Sequence, residues 1–144
     1  SFPTRRSSDL EIEIFDAGMI YNALYYVKKG VLKEPLHYQL VLGAAGGTAA
    51  TVENLVYLKN LIPEGSTWSG LGIGKGHIPI MLATLALGGN IRVGMEDNVT
   101  YAKNQLAESN AQFVERAVRI IKENGTTVAT PDEAREILGL KRRG

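Results

Sequence analysis

The sequence predicts an α/β protein built around a parallel β-sheet, and three observations lead to that class. Short apolar runs rich in β-branched residues occur four times from Glu11 onward. Each run is followed by a helical pattern, either amphipathic or apolar on nearly all sides. Strands that alternate with helices are typical of βαβ units, whose strands are covered on both faces and are therefore continuously apolar.

The predicted elements follow one another from Glu11 to the end of the chain. The strands are EIEIF (11–15), YQLVLG (38–43), TWSGLGI (67–73) and NIRVGM (90–95). The helices are predicted over 17–29, 51–62, 77–89, 110–125 and 130–138. Their ends are set by Gly30, Pro63 and Gly125, and by a capping box of Thr130, Pro131 and Glu133. Tyr21, Tyr25 and Tyr26 fall at helical spacing, and we expect them to pack.

Four βα units form either a small open sheet or half of an eight-stranded (β/α)8 (TIM) barrel, which typically needs ~250 residues. The repeat alone leaves both architectures open. In a barrel the chemistry lies at the carboxyl ends of the strands. Here those ends are FDAG, GAAGG, GIGKG and EDN, which are glycine-rich or acidic, whereas the opposite ends are plain polar connections.

Composition excludes several classes of protein and partner. The chain has 144 residues, a formal net charge of +1 and no cysteine, which argues against a disulfide scaffold or a thiolate metal site. No basic stripe stands out, so we expect no nucleic acid partner. No apolar run approaches the ~18–20 residues of a membrane span, so we expect no membrane association and a cytoplasmic location.

The first ten residues, SFPTRRSSDL, do not match the rest of the chain. They are polar, show no period and resemble the translation of a sequencing-library adapter. We therefore expect residues 1–10 to be a non-native tail and residues 11–144 to be the last four βα units of a longer protein. A natural disordered tail is the alternative.

The segment GGNIRVGMEDN (88–98) places charged residues in what is otherwise a buried strand. Alternation would turn Arg92, Gly94 and Glu96 to one face, the interior of a barrel, and Ile91, Val93 and Met95 outward beneath the helices. A buried ion pair that merely closes the sheet is the alternative. Because such pairs cost desolvation and rarely add stability, the charges favour a functional site.

The same segment resembles the signature of the β-keto acid cleavage enzymes. The resemblance continues through EIEIFDAG, LVLGAAGG, GIGKG, SNAQFVERA and ATPDEAREILGL, in order and spacing. It implies the C-terminal half of a TIM barrel that binds one divalent metal, usually zinc. It also implies a reaction that cleaves a β-keto acid with acetyl-CoA as co-substrate, giving acetoacetate and a new acyl-CoA.

The resemblance also assigns roles to single residues. Glu96 is the expected metal ligand, Arg92 and Asp97 are the expected catalytic pair, and Glu13 is the expected substrate-binding acid, with Glu11 second. The family's other two metal ligands form a His-x-His pair on an early strand, which this chain lacks. We expect His37 to be structural and His77 to have a helix-start or surface role, with contact to a ligand on the catalytic face as the alternative for His77.

Glycine loops supply the remaining candidates. Gly72, Gly74 and Lys75 precede a helix, where backbone N–H groups can hold a phosphate of the CoA co-substrate. Gly46 and Gly47 are candidates for substrate binding in the same way. In both loops the glycines are equally compatible with tight turning alone.

The expected function is therefore that of part of a metal-dependent β-keto acid cleavage enzyme. Its small-molecule partners would be a β-keto acid and an acyl-CoA. The intact protein is expected to form a homo-oligomer, and this piece alone is expected to be inactive. The alternative is a self-contained α/β domain that binds a phosphorylated ligand without catalysis, or two half-barrels that pair.

Overall fold

The computed structural model describes residues 10–140, so the adapter-like stretch expected over residues 1–10 lies outside the described residues except for Leu10. The strands are β1 (Glu11–Ile14), β2 (His37–Leu42), β3 (Thr67–Gly72), β4 (Asn90–Ile91), β5 (Thr100–Ala102) and β6 (Gln105–Leu106). The helices are α1 (Ala17–Lys28), α2 (Val52–Leu61), α3 (His77–Ala86), α4 (Asn110–Glu123) and α5 (Pro131–Ile137), and a 3₁₀ turn covers Gly74–Gly76.

Strands β1 to β4 form one parallel sheet in sequential order, whereas β5 and β6 form a separate antiparallel hairpin. The predicted α/β class with a parallel sheet is confirmed. Sequential parallel strands connected by helices are consistent with part of a (β/α)8 barrel. The complete barrel remains a prediction.

Side-chain caps set where the helices begin. Asp16 accepts a hydrogen bond from the Met19 N–H at 3.1 Å and caps α1. Thr51 and Ser109 cap α2 and α4 in the same way. The predicted capping box of α5 is confirmed, because the Thr130 hydroxyl accepts from the Glu133 N–H and the Glu133 carboxylate accepts from the Thr130 N–H. These hydrogen bonds lower the pKa of Glu133.

One face of the sheet forms the hydrophobic core with the helices α1, α2 and α3. Fully buried side chains from the strands meet fully buried side chains from the helices, namely Ile14, Tyr38, Leu40 and Leu42 on the sheet and Ile20, Leu55, Leu58 and Ile80 on the helices. Because side chains alternate along a strand, the even-numbered residues of β2 point to this face. The odd-numbered positions therefore project from the opposite, largely polar face.

The polar face of β2 and β3 carries a hydrogen-bonded network centred on His37. Its Nδ1 lies 2.8 Å from the Thr67 hydroxyl and its Nε2 lies 3.0 Å from the Ser69 hydroxyl, which itself donates to Gln39. Burial lowers the pKa of His37 despite the nearby charge of Glu11. A neutral imidazole bridging two strands agrees with the structural role predicted for His37.

Glycines let α3 and its connecting turn approach β3 closely. A Cβ on Gly70 would overlap the Thr84 hydroxyl, and a Cβ on Gly72 would overlap the carbonyl of Gly76. A Cβ on Gly76 would in turn overlap the side chain of Ala50. These glycines are therefore needed for packing, whatever else they contact.

Two sequence expectations need correction here, and one element was missing from the prediction. The strand predicted over 90–95 ends at Ile91, so Arg92, Gly94 and Glu96 do not share a strand face as expected. Residues 95–97 form a turn instead, and Met95 is exposed rather than packed outward beneath the helices. The hairpin of β5 and β6 was not predicted. Tyr21, Tyr25 and Tyr26 are about half exposed (55%, 55% and 49%) because they lie on the outer side of α1, away from its buried residues Ile20 and Ala23.

The contact between Gly70 and Thr84 generates the first prediction. The substitution Gly70→Ala should lower the free energy of unfolding by about 1–3 kcal/mol, because the added methyl group overpacks a fully buried site. Thr84→Ala alone should cost less, since its buried hydroxyl has no hydrogen-bond partner among the described residues. The double variant should recover most of the loss in a chemical-denaturation cycle. Strictly additive losses would show that the two residues do not collide.

Candidate active site

A tight turn at residues 94–98 follows the short strand β4 and carries the acidic part of the signature. The N–H groups of Asp97 and Asn98 both donate to the carbonyl of Gly94, at 3.3 and 3.1 Å. The N–H of Met95 donates to the side-chain oxygen of Asn110 at 2.8 Å, which ties the turn to the first residue of α4. The turn therefore directs Glu96 and Asp97 back toward Arg92.

Arg92 binds Asp97 through a two-point hydrogen bond. Its Nε lies 3.1 Å from Oδ2 and its Nη2 lies 3.0 Å from Oδ1. The planar guanidinium matches the carboxylate in this geometry, which a lysine does not reproduce. The Asp97 side chain is only 10% exposed, so this pair is the most enclosed part of the site.

Two further carboxylates contact the same guanidinium from its more open side. Glu13 on β1 lies 3.3 Å from Nη1, and Glu96 lies 3.3 Å from Nη2. Three carboxylates around one guanidinium leave an excess of two negative charges.

The pKa of Arg92 reflects these opposing influences. Burial acts to lower it, whereas the hydrogen bond and charge of Asp97, followed by the charges of Glu96 and Glu13, act to raise it. The net effect is a pKa above the ordinary value of arginine. Arg92 therefore stays charged throughout the working range of an enzyme.

Glu96 has the properties of one metal ligand but not of a complete metal site. Its side chain is 86% exposed, and among residues 10–140 its carboxylate forms an ion pair with Arg92 alone, so it is accessible to a cation. Within residues 10–140 no group of three histidine, cysteine, aspartate or glutamate residues is placed to hold a metal ion. The donor set therefore fits a single ligand contributed by this part of the chain.

The two predicted glycine loops lie beside this site in different ways. The loop containing Gly46 and Gly47 is fixed to the end of β1, since the Thr48 N–H donates to the Phe15 carbonyl at 2.7 Å. Gly47 packs against that carbonyl, where a Cβ would lie 3.0 Å away, whereas Gly46 is exposed with a positive φ of 79°. This loop is therefore anchored to Phe15, two positions beyond Glu13.

The second loop forms one wall of a cleft. Gly72 is buried, and the packing against Gly76 and Ile80 accounts for its lack of a side chain. Gly74 and Lys75 are exposed and line a cleft of about 850 Å³ that Asp97 and Tyr101 also line. The cleft therefore connects the glycine turn to the Arg92–Asp97 pair.

A buried pair that the sequence did not reveal lies at the wall of this cleft, which His77 also lines. His77 begins α3, as expected, but it is buried rather than on the surface. Arg116 on α4 donates to its Nδ1 at 3.4 Å and to the Tyr101 carbonyl at 2.6 Å, and it stacks on the Tyr101 ring with 3.9 Å to the centroid. Among the described residues no carboxylate forms an ion pair with Arg116.

The hydrogen bond from Arg116 determines the tautomer of His77. A guanidinium only donates, so Nδ1 of His77 accepts and the proton resides on Nε2. Burial and the charge of Arg116 lower the pKa of His77, while Asp97 acts in the opposite direction. No local pattern in the sequence signals this pair, because the acceptors of Arg116 lie on the hairpin and on α3.

A parallel sheet with an arginine and its acidic partners at the carboxyl ends of its strands has the architecture of an α/β enzyme site. The sequence profile of the β-keto acid cleavage enzymes matches residues 4–140. The chain therefore belongs to the β-keto acid cleavage enzyme family. The structure brings four of its predicted site residues together, namely Glu13, Arg92, Glu96 and Asp97.

Named relatives agree with this assignment. The chain is 47% identical over 132 residues to a 3-keto-5-aminohexanoate cleavage enzyme of Fusobacterium nucleatum, covering 92% of this chain and 48% of that protein. It is 43% identical over 132 residues to one from Acetoanaerobium sticklandii, with the same two coverages. It is 39% identical over 134 residues to a 3-oxoadipate:acetyl-CoA acetyltransferase of Cupriavidus necator, covering 90% and 47%. The chain spans about half the length of the curated relatives it matches.

Burial of His77 predicts a pH-dependent stability. The unfolded histidine binds a proton below its ordinary pKa of 6.5, whereas the folded one resists protonation. The unfolded state then binds more protons, so the free energy of unfolding should fall as the pH drops below about 6.5.

The measurement is chemical denaturation at about pH 5.5 and about pH 7.5. His77→Gln should reduce the difference between the two values, because the group that titrates is gone. Phe113→Leu, which disturbs the same cluster without a titratable group, should lower stability at both values equally. An unchanged pH difference in His77→Gln would contradict the assignment.

Proposed function

We propose that this chain is the C-terminal part of a β-keto acid cleavage enzyme. The enzyme converts a β-keto acid and acetyl-CoA into acetoacetate and the acyl-CoA of the remaining portion. The observation that carries the proposal is the contact of Arg92 with Asp97, Glu13 and Glu96 at the carboxyl edge of the sheet. The names of three relatives include acetyl-CoA, which supports acetyl-CoA as the co-substrate.

Asp97 is proposed as the base that removes a proton from the methylene between the ketone and the carboxylate of the substrate. The two hydrogen bonds from Arg92 hold its carboxylate in one orientation, which supports this role. Arg92 supplies fixed positive charge to the substrate carboxylate and to the enolate oxygen that develops. The exposed side of its guanidinium, now occupied by Glu13 and Glu96, is where a substrate would reach it.

Glu13 is proposed to bind the substrate, with Gly46 and Gly47 forming part of the same wall. Glu13 is half exposed, and its ion pair with Arg92 holds its carboxylate at the site. The loop of Gly46 and Gly47 is hydrogen-bonded to Phe15, two positions beyond Glu13, which supports its nearness to the substrate. A carboxylate at this position favours a substrate that carries a positive charge or a hydrogen-bond donor.

Glu96 is proposed to contribute one ligand to a divalent metal, usually zinc in this family. The excess negative charge around Arg92 and the accessible carboxylate of Glu96 support that role. Such a metal supplies Lewis-acid polarisation of the ketone carbonyl when it is bound. The remaining ligands would come from residues beyond those described, and the homo-oligomer expected of the intact enzyme is proposed with it.

Acyl-CoA is proposed to occupy the cleft beside Gly72, Gly74 and Lys75. Lys75 offers a positive charge at the mouth of the cleft, and the cleft leads toward Asp97. The N–H of Gly74 is already bound to Asn98, so it is not free for a phosphate. The proposal therefore rests more on the positive charge of Lys75 than on the N–H groups of the glycines.

Conservative substitutions at the Arg92–Asp97 pair test the chemistry in the full-length protein. Arg92→Lys and Asp97→Asn should each lower kcat by about 100-fold or more, because the two-point geometry or the base is lost. The assay follows acetoacetate release from a β-keto acid and acetyl-CoA. Arg135→Lys and Asp132→Asn repeat the same changes at an exposed ion pair on α5 and should leave kcat unchanged. Wild-type turnover in either site variant would exclude the assigned roles.

The metal ligand is tested by metal content rather than by activity alone. Glu96→Gln should lower bound zinc in the purified full-length protein to a small fraction of the wild-type level, since an amide is a poor ligand. Glu53→Gln on the exposed side of α2 is the matched control. Residues 11–144 alone should bind zinc weakly at best. Tight stoichiometric zinc in that piece would contradict the expectation of missing ligands.

A further inference from the structure

Asn98 joins the acidic turn at residues 94–98 to the glycine turn at residues 72–76. It follows Asp97 directly, it is buried, and its side chain makes two hydrogen bonds to the glycine turn. Its Nδ2 donates to the carbonyl of Gly72 at 3.0 Å, and its Oδ1 accepts from the N–H of Gly74 at 2.6 Å. Neither the fold class nor the family's catalytic residues account for these contacts.

The two bonds require a side chain with one donor and one acceptor at the same reach. Only an amide offers both at this length, since a carboxylate accepts but does not donate and an aliphatic chain does neither. The carbonyl of Gly72 and the N–H of Gly74 belong to the segment where β3 gives way to the 3₁₀ turn. A buried backbone group left without a partner costs free energy, so removal of Asn98 destabilises this segment specifically.

The acidic turn also depends on Asn98. The N–H of Asn98 helps to close the turn on Gly94, so its backbone is fixed on one side and its side chain on the other. Displacement of the glycine turn therefore displaces the residue that follows Asp97. The glycine turn and Asp97 both line the cleft. A ligand that contacts the glycine turn therefore acts on the Arg92–Asp97 pair through Asn98.

We propose that Asn98 is a positioning residue that couples the glycine turn to the orientation of Asp97. A ligand that orders Gly74 thereby orders the carboxylate bound to Arg92, and the coupling acts in both directions. The physical coupling stands on the hydrogen bonds alone. Its effect on turnover rests on the proposed function.

The first experiment measures amide hydrogen exchange in the full-length protein. Asn98→Leu keeps approximate shape and removes both hydrogen bonds, so exchange of the Gly74 amide should become about tenfold faster or more. Exchange of the backbone amides at positions 97 and 98 should become faster as well. In Asn98→Asp the acceptor for the Gly74 N–H remains, but a carboxylate oxygen then faces the Gly72 carbonyl, so protection of Gly74 should lie between that of the wild type and that of Asn98→Leu. Acceleration confined to Gly74 in Asn98→Leu would overturn the coupling.

The reciprocal experiment leaves Asn98 intact and disturbs the other end. Gly74 has a φ of +63° and open space where a Cβ would lie, so Gly74→Ala strains the glycine turn without a steric clash. Exchange of the Asp97 and Asn98 amides should again accelerate. Gly88→Ala imposes the same type of strain at the end of α3, where φ is +79° with open space, and should leave those amides unchanged. Equal behaviour of the two variants would overturn the proposal.

Kinetics then separates positioning from general destabilisation. Asn98→Leu should lower kcat about tenfold or more and also raise the KM for acetyl-CoA, because base and cleft are both displaced. A merely structural role would lower the active fraction and leave KM unchanged, and that outcome would overturn the positioning role. Should the wild-type protein cleave no β-keto acid, the proposed function fails, and the exchange measurements still decide whether Asn98 couples the two turns.

Discussion

The two-point hydrogen bond between Arg92 and Asp97 determines how the rest of the site is arranged. Asp97 is almost enclosed, and loss of the cationic partner that Arg92 provides would cost several kcal/mol. Arg92 is therefore not free to leave Asp97. Glu13 and Glu96 lie on the open side of the same guanidinium with one contact each at 3.3 Å. An incoming ligand competes with these two carboxylates, while Asp97 keeps its orientation.

The sequence predicted the parts of the fold that depend on local chemistry. The capping residues Asp16, Thr51 and Ser109 begin helices by hydrogen bonds within four positions along the chain, and the box at Thr130 does the same. The parallel sheet follows from the order of apolar runs. Both signals are contained in short windows of sequence, which is why the class and most element boundaries were recovered.

The end of β4 depended on partners that are distant in sequence. The alternation of Ile91, Val93 and Met95 is that of a strand, yet the chain turns after Ile91. The turn is held by Asn98 on the glycine turn and by Asn110 at the start of α4, contacts that no local pattern contains. Arg116 was missed for the same reason, because its acceptors lie on His77 and on the hairpin. The approach of Glu13 to Arg92, 79 positions apart, was recoverable only from the rule that carboxyl strand ends share an edge, together with the family resemblance.

The contact between Glu13 and Arg92 joins the first strand of the sheet to the segment after the last. Four strands laid flat would separate these edges by roughly 14 Å, with side chains standing nearly perpendicular to the sheet. The observed 3.3 Å is therefore reached only where the two long side chains lean toward each other, where the sheet bends around its polar face, or both. A flatter sheet would move the charges of Glu13 and Arg92 apart. One edge of the guanidinium would then lose its carboxylate partner. Substrate access and sheet shape are thus linked through a single pair of side chains.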